Sequence, residues 1–181
     1  AGASRALLDR CVLGTPAASF ADPGAGARSG GGNVRVLGAD DGIVTHCLIG
    51  FAAGSGVALT AGSDRWLVSG SEIRGNAIGN PARDGISIES SASVTVRGVL
   101  VAGQEGCGID ARASSGANKF ENCTATGNGV GTGAGVETPG IRLGGADSRV
   151  DRCVLNANHG AGVLVVPGSS GNVLTRNSIY A

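Results

Sequence analysis

Asp110 and Arg112 stand two positions apart, Arg142 follows in a later segment, and Asp84 and Glu89 precede them. A carboxylate beside a guanidinium has the means to bind or deprotonate a sugar acid, with the guanidinium neutralising the substrate's own carboxylate. Asp110, Arg112 and Arg142 are therefore the candidate catalytic residues. Arg35, Asp84 and Glu89 join them as candidate ligand-binding residues. The competing reading is a solvated face carrying exchangeable ion pairs, which contribute little each. Other chemistry is sparse. The two histidines, His46 and His159, are expected at the surface rather than as general bases. Asp40, Asp41 and Asp84 are too scattered for the converging carboxylates that calcium wants. There is no CxxC and no Cys/His cluster at metal spacing. No metal and no cofactor is expected.

The elements that must position these residues come from a repeat. An apolar residue, two intervening positions, a small residue, one further position and another apolar residue recur seven times. The triplets are Leu8/Cys11/Leu13, Val44/Cys47/Ile49, Val68/Ser71/Ile73, Val96/Val99/Val101, Phe120/Cys123/Ala125, Val150/Cys153/Leu155 and Leu174/Asn177/Ile179. The central column advances by 36, 24, 28, 24, 30 and 24 residues, so 24 is the base period and longer steps add a loop. Between triplets lies a second motif, usually glycine followed by apolar-x-apolar, as in Val57/Leu59, Ile86/Ile88, Ile109/Ala111 and Ile141/Leu143. Both motifs alternate as strands do, and no segment sustains a helical period. Ser4 to Leu13 comes nearest to a helix, with Ser4 as its cap. Yet Asp9–Leu13 is identical in sequence to Asp151–Leu155, which places it in a strand.

Three short strands per turn, all wound the same way, make an all-β, single-stranded parallel β-helix of six to seven coils. Each coil pairs its backbone with its neighbours, and inward side chains stack into columns. About five inward apolar side chains per coil, at roughly 1.5–3 kcal/mol each, offset the ordering entropy. One coil cannot bury its inner face alone. Phe120 belongs to this core, and Trp66 is expected as a core or edge plug. On the glycine-led strands the outward residues are Arg35, Ala58, Ser87, Asp110, Arg142 and Leu164, with Glu89 and Arg112 two positions on. The large insertions, Gly14 to Gly32, Gly75 to Asp84 and Gly127 to Pro139, all leave from one corner and should border one face.

Composition narrows the partners. Fourteen Lys+Arg balance fourteen Asp+Glu, which removes the basic footprint of a nucleic-acid binder. No apolar run is long enough for a membrane-spanning helix. Only 3% of residues are aromatic, which counts against tight glycan binding. Four of five cysteines, Cys11, Cys47, Cys123 and Cys153, share the central column, with Cys107 beside the second motif. Column neighbours sit about 4.8 Å apart and point the same way, whereas a disulfide needs Cβ atoms about 3.8 Å apart and turned together. Unpaired, buried thiols are expected. Residues 1–181 are read as one domain, a fragment of a longer chain without leader or initiator methionine.

The repeat, with phrases such as Gly171-Asn172-Val173-Leu174-Thr175-Arg176-Asn177-Ser178-Ile179-Tyr180 and the corner residues Asn76, Asn128 and Asn158, resembles the right-handed parallel β-helix proteins of the pectate-lyase-like superfamily. That resemblance implies that the glycine-led strands form a groove. It leaves activity open, because lyases, hydrolases, epimerases, adhesins and phage tail proteins share the fold. Asp40-Asp41 and His159-Gly160 are superficially similar to the polygalacturonase pairs but fall about five coils apart. The Asp-Pro-His of alginate epimerases and the Arg-x-Pro-x-x-Arg of pectate lyases are absent from the sequence. The expected function is a non-catalytic segment of a secreted or cell-surface bacterial protein, a rigid spacer or weak contact surface for acidic polysaccharide. The alternatives are a polysaccharide lyase, epimerase or glycoside hydrolase working through Asp110, Arg112 and Arg142, and a module that self-associates through its coil ends.

Overall fold

The computed structural model describes residues 5–130 and 137–180. Every strand pairs in parallel, in three sheets that run the length of the stack. The first sheet stacks Leu7–Asp9, Ile43–Thr45, Leu67–Ser69, Thr95–Arg97, Lys119–Glu121, Arg149–Asp151 and Val173–Thr175. The second stacks Val12–Leu13, Leu48–Gly50, Glu72–Arg74, Leu100–Ala102, Thr124–Thr126, Val154–Asn156 and Ser178–Tyr180. The third stacks Val34–Leu37, Val57–Thr60, Ile86–Ile88, Ile109–Ala111, Ile141–Leu143 and Val163–Val165. This is a parallel β-helix of the expected coil number, with no helix among the described residues. The start of the chain forms strands, as its identity with Asp151–Leu155 required; Ser4, the cap of the rival helix, lies outside the described residues.

Register follows the sequence columns. Val44 lies opposite Leu8 and Val68, and Phe120 lies opposite Val96 and Val150. These side chains fill the tube: Val44, Val68, Val96, Phe120 and Val150 are all fully buried, and Trp66 is core as well, donating from Nε1 to Ala39 O at 2.6 Å. Between first and second sheet the chain turns on one residue. It is Arg10, His46, Gly70, Gly98, Asn122, Arg152 or Arg176, each with φ between 52° and 61°. A single left-handed residue reverses the pleat, so the next residue, the column position, points inward again.

The thiols are free, as expected, and Cys47, Cys107, Cys123 and Cys153 are buried. Cys123 Sγ donates to Val96 O at 3.3 Å, and Cys153 Sγ donates to Phe120 O at 3.5 Å. Where the column holds a stronger polar group, that group accepts from the coil before. Cys47 N–H donates to Ser71 Oγ at 3.0 Å, and Cys153 N–H donates to Asn177 Oδ1 at 2.9 Å. The corner asparagines do the same in the second sheet's turn. Asn76 N–H donates to Gln104 Oε1, Gln104 N–H to Asn128 Oδ1, and Asn128 N–H to Asn158 Oδ1, at 2.8, 3.2 and 3.2 Å. The polar groups of these ladders are thereby satisfied one coil at a time, which burial demands.

The glycine that leads five of the six third-sheet strands (Asn33 precedes the first) has a steric cause. A Cβ on Gly56, Gly85, Gly108 or Gly140 would come within 2.5–2.9 Å of the carbonyl oxygen of the glycine one coil on. Those backbones approach so closely that no side chain fits.

A groove and a buried carboxylate–thiol cluster on the third sheet

Alternation along the third sheet sends Ile86, Ile88, Ile109, Ile141 and Leu143 into the core and the residues between them to the opposite face. That face is a register ladder of Arg35, Ala58, Ser87, Asp110, Arg142 and Leu164, each opposite the next. The ladder expected from the sequence is present in full.

Over its first three rungs lies a groove of about 590 Å³. Its floor is Arg35, Ala58, Ser87 and Glu89, and the insertions contribute to its lining, through Gly31 of the first and Asn80 with Arg83 of the second. Two of the three corner insertions thus border one face, as their spacing required. The third, Gly127 to Pro139, includes residues 131–136, which lie outside the described residues. Arg35 and Arg83 are both exposed, and neither forms an ion pair among the described residues. Sequence reasoning misses Arg83 and Asn80 because they sit in a loop outside the repeat. Their only sequence signal is membership of an insertion.

Beside the groove's third rung, Asp84 and Glu89 meet Asp110 and Arg112 from the next coil and Arg142 from the one after. Arg112 is the hub. Its Nε lies 3.3 Å from Asp110 Oδ2, its Nη2 lies 3.5 Å from Asp84 Oδ2, and its Nη1 lies 3.7 Å from Glu89 Oε2. These are ion-pair distances without hydrogen-bond alignment, and Arg112 Nε has no hydrogen-bond acceptor. The directed bond from Arg112 goes to the backbone, from Nη2 to Ala82 O at 3.2 Å. Arg142 Nη1 donates to Asp110 Oδ2 at 3.4 Å. Arg35, the remaining candidate, stands apart on the groove floor.

The expectation of a solvated face fails here. Asp84 is 2% exposed and Asp110 is 3% exposed. The insertion ending at Asp84 closes over the sheet edge, and its carbonyl at Ala82 ties down Arg112, so both carboxylates lose their water. Burial, and then the neighbouring Asp110 charge, push the Asp84 carboxyl up to about 7, against the pull of Arg112. Burial also raises Asp110, with Arg142 and Arg112 opposing it.

Cys107 completes the cluster. Its N–H donates to Asp84 Oδ1 at 3.2 Å. Burial, with the Asp84 and Asp110 charges, pushes its thiol well above the usual range. The sequence places Cys107 only beside the second motif, outside the column. Its meeting with Asp84 and Asp110 depends on where the preceding insertion returns to the sheet. Asp40 and Asp41 lie elsewhere and pair with Arg65 at 3.0 and 2.6 Å. His46 and His159 are exposed.

Comparison with known proteins agrees with this architecture. A family model described as a right handed beta helix region matches residues 20–179. No curated protein matches the chain. Among solved structures, the A-module of the Azotobacter vinelandii mannuronan C-5 epimerase AlgE4 is similar, with 12% identity over 98% of this chain and 54% of that one (TM-score 0.74). The periplasmic alginate epimerase AlgG is similar, with 19% identity over 83% of this chain and 36% of that one (TM-score 0.64). So is pectate lyase Pel9A, with 19% identity over 79% and 41% (TM-score 0.59). The chain spans about half or less of the length of these structures, and at these identities the likeness is one of fold.

Proposed function

Because the chain belongs to the right-handed β-helix family, we propose that it is a non-catalytic segment of a secreted or cell-surface bacterial protein that contacts an acidic polysaccharide through the groove on its third sheet. The observation that carries this reading is the pair of guanidinium groups, Arg35 and Arg83, that border the groove without an internal carboxylate partner. A guanidinium is planar and forks onto a carboxylate with two bonds, which suits a chain of uronic acids. Ser87, Asn80 and Thr60 supply neutral polar groups to its lining. The groove has no aromatic lining residue, so binding rests on charge and hydrogen bonds rather than stacking. Structures of similar fold carry the names of an alginate epimerase and a pectate lyase, proteins named for such acidic glycans.

The non-catalytic part of the proposal is supported by the state of the other candidates. Asp110 is almost wholly buried, and its Oδ2 is engaged by both Arg112 and Arg142. A base or acid must reach the proton it moves within about 3 Å, and a carboxylate held in this way does not reach a ligand in the groove.

Calorimetric titration with oligouronates, against neutral oligoglucosides of equal length, tests the proposal. The expected result is oligouronate binding that weakens with salt and about tenfold in each of Arg35→Ala and Arg83→Ala, with no depolymerisation or epimerisation of the glycan. Equal affinity for the neutral oligomer, or turnover of the acidic one, would refute it.

A further inference from the structure

Asp84, Cys107 and Asp110 form a compact donor set. One carboxylate oxygen from each aspartate and the Cys107 Sγ all lie within 4.8 Å of one another. The three residues are 2%, 7% and 3% exposed. Within the set, Asp84 Oδ2 and Asp110 Oδ1 are buried and accept no hydrogen bond. A buried carboxylate oxygen without a hydrogen-bond donor costs several kcal/mol; Asp84 Oδ2 has only the unaligned Arg112 guanidinium at 3.5 Å, and Asp110 Oδ1 has no hydrogen-bond partner. Arg112 and Arg142 do not remove that cost at Asp110, because both approach Oδ2 and leave Oδ1 without a donor.

We propose that Asp84, Cys107 and Asp110 bind a divalent d-block cation of the zinc class. Three ligand atoms mutually within 4.8 Å surround a point close to all of them, and zinc bonds run at about 2.0–2.3 Å for carboxylate oxygen and thiolate sulfur, so modest inward rotation of the side chains closes the site. The mixed set selects the metal. A thiolate disfavours calcium and magnesium, which take oxygen ligands, and two carboxylates with one thiolate suit zinc, cobalt(II) or cadmium. Binding replaces the thiol proton by the metal: Cys107–SH and the cation give the metal thiolate and one released proton. Cys107 N–H, donating to Asp84 Oδ1, already ties two of the ligands to a common orientation. Such a cation would fasten the Gly75 to Asp84 insertion, which contributes to the lining of the groove, onto the third sheet. The inference rests on the ligand geometry and not on the polysaccharide reading.

The test uses the full chain, stripped with a chelator and titrated with cadmium(II) and zinc(II). Cadmium should give a thiolate-to-metal ultraviolet band that saturates at one equivalent with release of the thiol proton, and excess zinc should abolish the band with no further proton release. Cys107→Ser and Asp110→Asn should each weaken zinc binding at least about tenfold. Cys123→Ser, which alters a buried thiol of the central column, should leave binding unchanged. If Cys107→Ser does not fold, protection of Cys107 from a thiol reagent by zinc in the unaltered chain reads out the same contact. No saturable band at one equivalent, a band that survives Cys107→Ser, or no zinc protection of Cys107 would each overturn the proposal.

Discussion

Replacing Asn128 by alanine removes the middle rung of the corner ladder, and its cost follows from the hydrogen bonds that the side chain makes. Asn128 is 1% exposed. Its Oδ1 accepts the Gln104 N–H at 3.2 Å, and its Nδ2 donates to Val101 O at 3.2 Å and to Asn158 Oδ1 at 2.8 Å. Alanine leaves the Gln104 N–H buried with no acceptor, at about 1–3 kcal/mol, and strips one donor each from Val101 O and Asn158 Oδ1. The total is about 3 kcal/mol, a large share of the roughly 5–15 kcal/mol that holds a domain together. Urea unfolding followed by far-ultraviolet circular dichroism measures it as a lower midpoint at unchanged slope. Asn80→Ala, at an exposed position in the groove lining, serves as the control and should lie within about 0.5 kcal/mol of the unaltered chain. Stability of Asn128→Ala within that same margin would refute the claim that the ladder satisfies the tube's interior polar groups.

Phe120 is fully buried between Val96 and Val150, so Phe120→Ala should cost about 3–5 kcal/mol in the same unfolding experiment. In native protein a thiol reagent should label Cys11 first, as the one cysteine that is not buried; fast native labelling of the other four would contradict the packed column. In the presence of chelator, stability should fall as pH rises from about 4 to about 7. The folded Asp84 carboxyl is raised to about 7 from its ordinary 3.8, so the folded chain holds a proton that the unfolded chain releases. The contribution is full below about pH 4 and is lost through about pH 7, on the order of 3 kcal/mol, and Asp84→Asn should flatten that slope.

Columns and period were legible because a stacked tube repeats its environment. Val44, Val68 and Val96 meet the same neighbours one coil apart, so the same residue class recurs at the same spacing. The glycine before five of the six third-sheet strands was equally legible, and its cause, a carbonyl of the next coil where a side chain would stand, emerged only from the coordinates. The left-handed residue before the column was not legible. It is Arg10, His46, Asn122, Arg152 or Arg176 in five coils and glycine in two, so no residue type marks it. The face that carries Asp110 and Arg142 was predicted, but its burial was not. Burial there depends on where an insertion folds back, and insertions carry no period. The same holds for Arg83, Asn80 and Cys107. The repeat thus located the floor of the groove, while the rest of its lining and the cluster beside it depend on the parts of the chain that break the repeat.

The interior ladders have a direction. Backbone N–H groups of Cys47, Asn76, Gln104, Asn128 and Cys153 all reach forward to a side chain supplied by the following coil, and the amides of Asn76, Asn128 and Asn158 reach back to carbonyls of the coil behind, at Ile49, Val101 and Ala125. Each lap is therefore finished by its successor. Deleting a lap would leave open donors and acceptors in the lap before it.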